Sequence, residues 1–122
     1  MENTLSYLIV EDDEFDRCSA ESEAEKFPFL KKIASCSHPL QAAELIAQHR
    51  PDVLFLDVQM PGMTGVDLAR LLRGQPILTV FITSHPEFAA EGFELEAFDY
   101  LIKPLTAERF ARCAMRLWDF VS

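Results

Sequence analysis

Three observations predict an α/β fold with helices on both faces of a parallel sheet. Apolar runs such as Leu5-Ser6-Tyr7-Leu8-Ile9-Val10 and Val53-Leu54-Phe55-Leu56 are short and nearly continuous, as strands buried on both sides require. Stretches with helical apolar spacing separate them, so that five strands alternate with five helices. Four of the five strands also run straight into a charged or hydroxyl residue. In an open parallel sheet, ligand chemistry gathers just beyond the carboxyl ends of the strands.

In chain order, the first strand covers residues 5–10 and ends at Glu11-Asp12-Asp13-Glu14. Acids are favoured at a helix N-terminus by its dipole. That explains some of the four, but not their position directly after a buried strand. A helix follows over about 15–27, with Phe15, Cys18 and Ala24 supplying a packed face and Pro28 closing it. A short second strand is expected at 33–36. Pro39 opens a second helix to about residue 48, with Leu40, Ala43 and Ile46/Ala47 on one face. His38 and His49 flank it, have no partner at metal-ligand spacing, and read as surface residues. The third strand ends in Asp57 and is followed by the breakers Pro61-Gly62 and Gly65. Thr64-Gly65-Val66-Asp67 has capping-box spacing, so a third helix starts near 65 and runs to 73, where Gly74 ends it. The fourth strand, 77–83, ends in Thr83, and Ser84-His85-Pro86-Glu87 opens a short helix with the same spacing. The fifth, 98–102, leads directly into Lys103-Pro104. Thr106 caps the last helix, which carries Phe110, Cys113/Ala114, Leu117 and Val121 on one stripe.

The 122 residues suffice for one domain, and a hydrophobic fraction of 49% with ten Phe supplies a real core. The net charge of −9, from 11 basic and 20 acidic residues, argues against direct nucleic-acid contact, which needs Lys and Arg for the phosphates. It suits cations and basic partner surfaces. Cys18, Cys36 and Cys113 form no C-x-x-C pair and no Cys/His cluster. They read as reduced thiols of a cytoplasmic protein in small core positions. No apolar run approaches the ~18 residues of a membrane span, and Met-Glu-Asn-Thr lacks the basic opening of a secretory signal.

Alone, Asp57 reads equally well as a turn cap, since Asp is a common turn residue. Its company changes that. The first strand delivers Glu11 and Asp12 to the same rim, the fourth Thr83 and the fifth Lys103. Crowded carboxylates are costly unless protonated or metal-bound. All-oxygen ligands without His or Cys select a hard cation, of which Mg2+ is the expected one, and Mg2+ sites leave room for phosphate oxygens. With Lys103 as a positive charge and Thr83 as a hydroxyl donor, the set could stabilise a phosphoryl group attacked by Asp57.

Four segments in this order resemble the receiver domains of two-component response regulators: Leu-Ile-Val-Glu-Asp-Asp-Glu at 8–14, Leu-Asp-Val-Gln-Met-Pro-Gly-Met-Thr-Gly at 56–65, Phe-Ile-Thr-Ser at 81–84 and Asp-Tyr-Leu-Ile-Lys-Pro at 99–104. The resemblance covers essentially the whole chain. It implies a flavodoxin-like, doubly wound five-stranded sheet in the order 2-1-3-4-5 and one receiver domain over residues 1–122, with any output domain outside them. Asp57 would accept a phosphoryl group from a sensor histidine kinase. Asp12, Asp57 and the main-chain carbonyl of Gln59 would ligate Mg2+, Glu11 would hold a metal-bound water, and Asp13 would be a helix-start acid. Lys103 would bind the phosphoryl group through a segment with a cis Lys103–Pro104 bond. Thr83 would bind it and act as a switch together with Tyr100. A second copy meeting the last strand and its flanking helices is a further candidate partner.

Three positions depart from or modulate the pattern. Ser84 stands where receivers often have Ala. Gln59 and His85 border the path of the hydrolytic water and are expected to tune the lifetime of the phosphorylated state, although His85 reads equally as a helix-start residue. The stretch from Glu87 to Phe93, with the segment 99–104, looks most like receivers joined to LytTR-type DNA-binding domains, which implies transcriptional output. The expected class is a signalling domain rather than a conventional enzyme. A haloacid dehalogenase-type phosphatase would need an acid where Gln59 stands. A flavodoxin-like flavin carrier would need a phosphate-cradling loop where the acids 11–14 stand. A stand-alone receiver, or one that binds partners without phosphorylation, remains the alternative.

Overall fold

The computed structural model describes residues 4–59, 65–85 and 97–121. The elements are β1 (Leu5–Val10), α1 (Glu14–Glu25), β2 (Leu30–Cys36), α2 (Pro39–His49), β3 (Val53–Asp57), α3 (Gly65–Leu71), β4 (Leu78–Thr83), β5 (Asp99–Ile102) and α4 (Ala107–Val121). The strands form one sheet in the order β2-β1-β3-β4-β5, and every neighbouring pair is parallel. This is the expected doubly wound, flavodoxin-like fold. The helix expected after Ser84 and the cap expected at Thr64 fall outside the described residues.

Side-chain alternation along the strands builds two cores. Leu5, Tyr7 and Ile9 of β1 with Val53 and Phe55 of β3 face α1 and α4, where Ala20, Ala24, Phe110, Cys113 and Leu117 close the layer. Leu8, Val10, Leu54, Leu56 and Phe81 face the other way, against Ala42 and Ile46 of α2 and Leu68 of α3. Phe55 stacks on Phe110 at 5.4 Å between ring centroids, so the central strand is pinned to the last helix. Each such fully buried side chain contributes roughly 1.5–3 kcal/mol, which makes β3 a rigid mount for the residue at its end.

Helix starts follow their caps. The Asp13 carboxylate accepts the Asp16 N–H at 2.8 Å, His38 Nδ1 accepts the Leu40 N–H at 3.1 Å, and Thr106 Oγ1 accepts the Arg109 N–H at 3.2 Å. Arg50, at the end of α2, adopts a left-handed conformation with φ 47.

Two helix faces differ from expectation. Phe15 is 76% exposed and Cys18 is exposed, while α1 buries Ala20 and Ala24. Leu40 is 64% exposed and Ala43 is exposed, while α2 buries Pro39, Ala42 and Ile46. Both helices start beyond the carboxyl ends of the strands, so an apolar side chain in the first turn has little sheet beneath it. β2 is also longer than the expected 33–36. It begins at Leu30, which pairs with Leu5, and its register shifts opposite Tyr7/Leu8. Lys31 and Lys32 are exposed there, and charged side chains of this kind are tolerated on an edge strand.

Candidate functional site at the carboxyl rim of the sheet

Glu11 follows β1 and Asp57 closes β3. These strands are neighbours, with Val10 opposite Leu56, at the place where strand order reverses. Main-chain bonds carry the sheet into the loops: Glu11 N–H donates to the Cys36 carbonyl at 2.9 Å, Val58 N–H to Ile82 at 3.2 Å and Lys103 N–H to Thr83 at 2.7 Å. The Lys103–Pro104 peptide is cis.

Glu11, Asp12 and Asp57 each offer an oxygen, and these atoms lie within 4.8 Å of one another. Glu11 is 1% and Asp57 4% exposed, whereas Asp12 faces solvent. Lys103 Nζ lies 2.7 Å from Glu11 Oε1, 3.0 Å from Asp16 Oδ2 and 3.7 Å from Asp57 Oδ1. One ammonium therefore answers several carboxylates, and the titration of the site shows the shortfall. Burial, and then the hydrogen bond and charge of Glu11, push the Asp57 carboxyl up to about 8, against the pull of Lys103 and of the Gln59 N–H that donates to it at 3.2 Å. Burial works against the Lys103 ammonium, but Glu11, Asp16 and Asp57 outweigh it and raise its pKa, so it stays charged. Near neutral pH the acids thus retain a proton that a cation would displace.

The donor set fits a hard divalent cation. It is all oxygen, and Glu11 Oε1 is buried without an aligned hydrogen bond despite its short ion-pair distance to Lys103. Of the remaining expected residues, Thr83 is buried at the end of β4, one residue beyond Ile82, the partner of Asp57. Its Oγ1 accepts the His85 N–H at 3.0 Å. The half-buried Tyr100 hydroxyl donates to the His85 carbonyl at 3.4 Å, and its ring lies 6.0 Å from Phe81. Gln59 reaches Asp57 through its main-chain N–H and is exposed.

A family model described as the response regulator receiver domain matches residues 7–114. The chain belongs to this family. An uncharacterized response regulatory protein of Vibrio cholerae is 47% identical over 96 residues, covering 77% of this chain and 37% of its own length. The transcriptional regulatory protein BtsR of Escherichia coli is 33% identical over 115 residues, 93% of this chain and 48% of BtsR. This receiver chain thus spans less than half the length of these relatives. The response regulatory domain of mrkE from Klebsiella pneumoniae superposes with a TM-score of 0.89 at 29% identity, covering 95% of this chain and 97% of that domain. The receiver domain of RcsB from Salmonella enterica, determined with the phosphomimetic BeF3−, has a TM-score of 0.88 at 14% identity over 96% and 90%, a likeness of fold alone. Receiver domains generally bind Mg2+ at an acidic pocket, and the acids of this receiver are of that kind.

Two contacts at the rim went unread in the sequence. Asp16 touches Lys103, and Arg17 Nη1 donates to the Glu11 carbonyl at 3.0 Å. Once Asp13 is taken as the cap, Asp16 is fixed in the first helical turn, but nothing local to it announces a lysine 87 positions away. A further charged group lies off the site. Asp99, at the start of β5, is gripped by Arg109 at 2.6 Å and Arg116 at 3.0 Å.

Proposed function

We propose that this receiver is the phosphoacceptor of a two-component phosphorelay, in which Asp57 takes a phosphoryl group from a sensor histidine kinase. The observation that carries the reading is the meeting of Asp57 with Glu11, Asp12 and the Lys103 ammonium at one end of the sheet. An Asp57 oxygen attacks phosphorus. The bond from phosphorus to the donor imidazole nitrogen breaks, its electron pair stays on that nitrogen, and an acyl phosphate remains on Asp57. Lys103, held charged, stabilises the phosphoryl oxygens, and Thr83 donates its hydroxyl to one of them. Asp12, Asp57 and the Gln59 carbonyl would hold Mg2+, with Glu11 behind them, and the ion would neutralise charge shared by acceptor and phosphoryl group.

Thr83 and Tyr100 form the switch in this reading. The Tyr100 hydroxyl bonds the carbonyl of His85, and the His85 N–H bonds Thr83, so a shift of Thr83 towards a phosphoryl group bears on the Tyr100 ring. Gln59 and His85 flank the site and tune the lifetime of the acyl phosphate. The domain signals in the cytoplasm rather than turning over a substrate. Its output is transcription, through a DNA-binding domain of the LytTR kind elsewhere in a longer protein, and a second copy docks on β5 and its flanking helices. A transcriptional regulator among the relatives and an acidic domain that leaves DNA contact to another module support this. A haloacid dehalogenase-type phosphatase is disfavoured because Gln59 cannot serve as its general acid.

Incubation with Mg2+ and acetyl phosphate, followed by mass measurement, tests the reading. One acid-stable, base-labile phosphate is expected on the native chain and none on Asp57→Asn. No gain on the native chain, or an undiminished gain on the variant, overturns it.

A further inference from the structure

Asp16 belongs neither to the acid pair after β1 nor to the acceptor strand, yet it shares the Lys103 ammonium. Its N–H donates to the capping Asp13 carboxylate at 2.8 Å, which sets the first turn of α1 beside the end of β1. From there Asp16 Oδ2 lies 3.0 Å from Lys103 Nζ, closer than Asp57 Oδ1 at 3.7 Å. Resting on the phosphoacceptor reading, we propose that Asp16 is a positioning residue that tethers the Lys103 ammonium on the α1 side and so weakens its hold on a phosphoryl group at Asp57.

An ammonium has three N–H donors and no acceptor. Here Nζ lies 2.7 Å from Glu11, whose side chain is 1% exposed, and 3.0 Å from Asp16, 28% exposed, so two carboxylates already share its charge. A charge-assisted N–H···O bond to a phosphoryl oxygen needs an approach of about 2.7–2.9 Å. Lys103 Nζ lies 3.7 Å from Asp57 Oδ1, so a phosphoryl oxygen added at Asp57 draws on the same ammonium. The Lys103 main chain is bonded to the Thr83 carbonyl at 2.7 Å, so any adjustment falls on the side chain. A phosphoryl group and Asp16 thus compete for the charge of one ammonium, and the competition holds only for an acid at this place in the turn. Glu14 lies in the same turn, is exposed, and changes the net charge equally when neutralised. It is therefore the control for a general effect of charge.

The experiment compares the native chain with Asp16→Asn, Asp16→Glu and Glu14→Gln. Two quantities are read: the 15Nζ resonance of Lys103 by NMR without Mg2+, and beryllofluoride affinity with Mg2+. In Asp16→Asn the Lys103 resonance shifts and beryllofluoride binds about fivefold tighter, the scale of a part-exposed ion pair. Asp16→Glu returns both towards native values, and Glu14→Gln moves neither. A Lys103 resonance identical in the native chain and Asp16→Asn overturns the tether. So does an unchanged affinity in Asp16→Asn, or an equal gain in Glu14→Gln; all three leave the phosphoacceptor reading standing. A native chain that binds no beryllofluoride overturns that reading and the tether with it.

Discussion

Two buried aspartates, each at an end of a strand and each beside cations, titrate in opposite directions. Asp57 has Glu11 pressed against it and the Lys103 ammonium at 3.7 Å, and burial with Glu11 pushes its carboxyl up to about 8. Burial also opposes the charge on Asp99, but Arg109 grips it at 2.6 and 3.3 Å, Arg116 stands at 3.0 Å and the Tyr100 N–H donates at 2.8 Å, so its pKa is lowered. The difference lies in the ratio of charges. At Asp99 two guanidiniums answer one carboxylate, and the cluster is complete. At Asp57 several carboxylates share one ammonium, and the deficit is an unfilled valence that a divalent cation can meet. A satisfied ion cluster fastens a fold, whereas an unsatisfied one is suited to a ligand.

The largest expected effect sharpens the active side of this contrast. Lys103→Ala removes the only cation paired with Asp57 among the described residues, and should slow labelling by acetyl phosphate about 100-fold or more. Labelling at the native rate would mean that the ammonium does not serve the phosphoryl group.

Next comes the structural side. Arg109→Ala leaves the buried Asp99 carboxylate to the half-exposed Arg116, and should cost about 2–4 kcal/mol in urea unfolding. Because the pKa of Asp99 is lowered by folding, its contribution is present above the unfolded value near ~4 and fades as pH falls below it. The deficit of Arg109→Ala should therefore shrink in acid. A deficit that persists unchanged at pH ~2 would assign it to lost packing instead.

Asp57→Asn should act in the opposite sense. The folded chain keeps the Asp57 proton to about pH 8, while the unfolded chain releases it near ~4, so the folded state binds more protons in between. Stability without Mg2+ then falls as pH rises across that window. Asparagine removes the slope and adds about 1–3 kcal/mol at pH ~8. Equal slopes for the native chain and the variant would break the comparison at its root.

The smallest effect concerns His85→Ala. The Tyr100 hydroxyl bonds the main-chain carbonyl of His85, so the substitution keeps that contact and tests the side chain alone. Decay of the acyl phosphate should change by about threefold, well under 1 kcal/mol of barrier. An unchanged decay removes His85 from the tuning of lifetime.

The strands and their terminal residues were legible in the sequence because both signals are local. An apolar run ending in an acid, a threonine or a lysine is visible without knowing what lies beside it. Helix faces were less so. Phe15 and Leu40 carry the right hydrophobicity at the right spacing, but whether a first turn has sheet beneath it depends on where the helix begins relative to the strands. Lys31 and Lys32 hid the start of β2, since an edge position that tolerates charge cannot be read from one strand alone. Asp16 and the Asp99–Arg109 pair were missed for the same reason: their meaning lies in groups 87 and 10 residues distant that only the folded sheet brings near.

Arg109 binds the Asp99 carboxylate and, at 3.1 Å, the main-chain carbonyl of Tyr100 as well. One guanidinium thereby rivets the edge strand to the last helix at the very residue whose ring faces Phe81. Strand slippage is closed off as a way of relaying a change from the rim. In the proposed switch, a signal leaving along this edge would therefore pass through side chains, with the Tyr100 hydroxyl exchanging its bond to the His85 carbonyl over a fixed backbone.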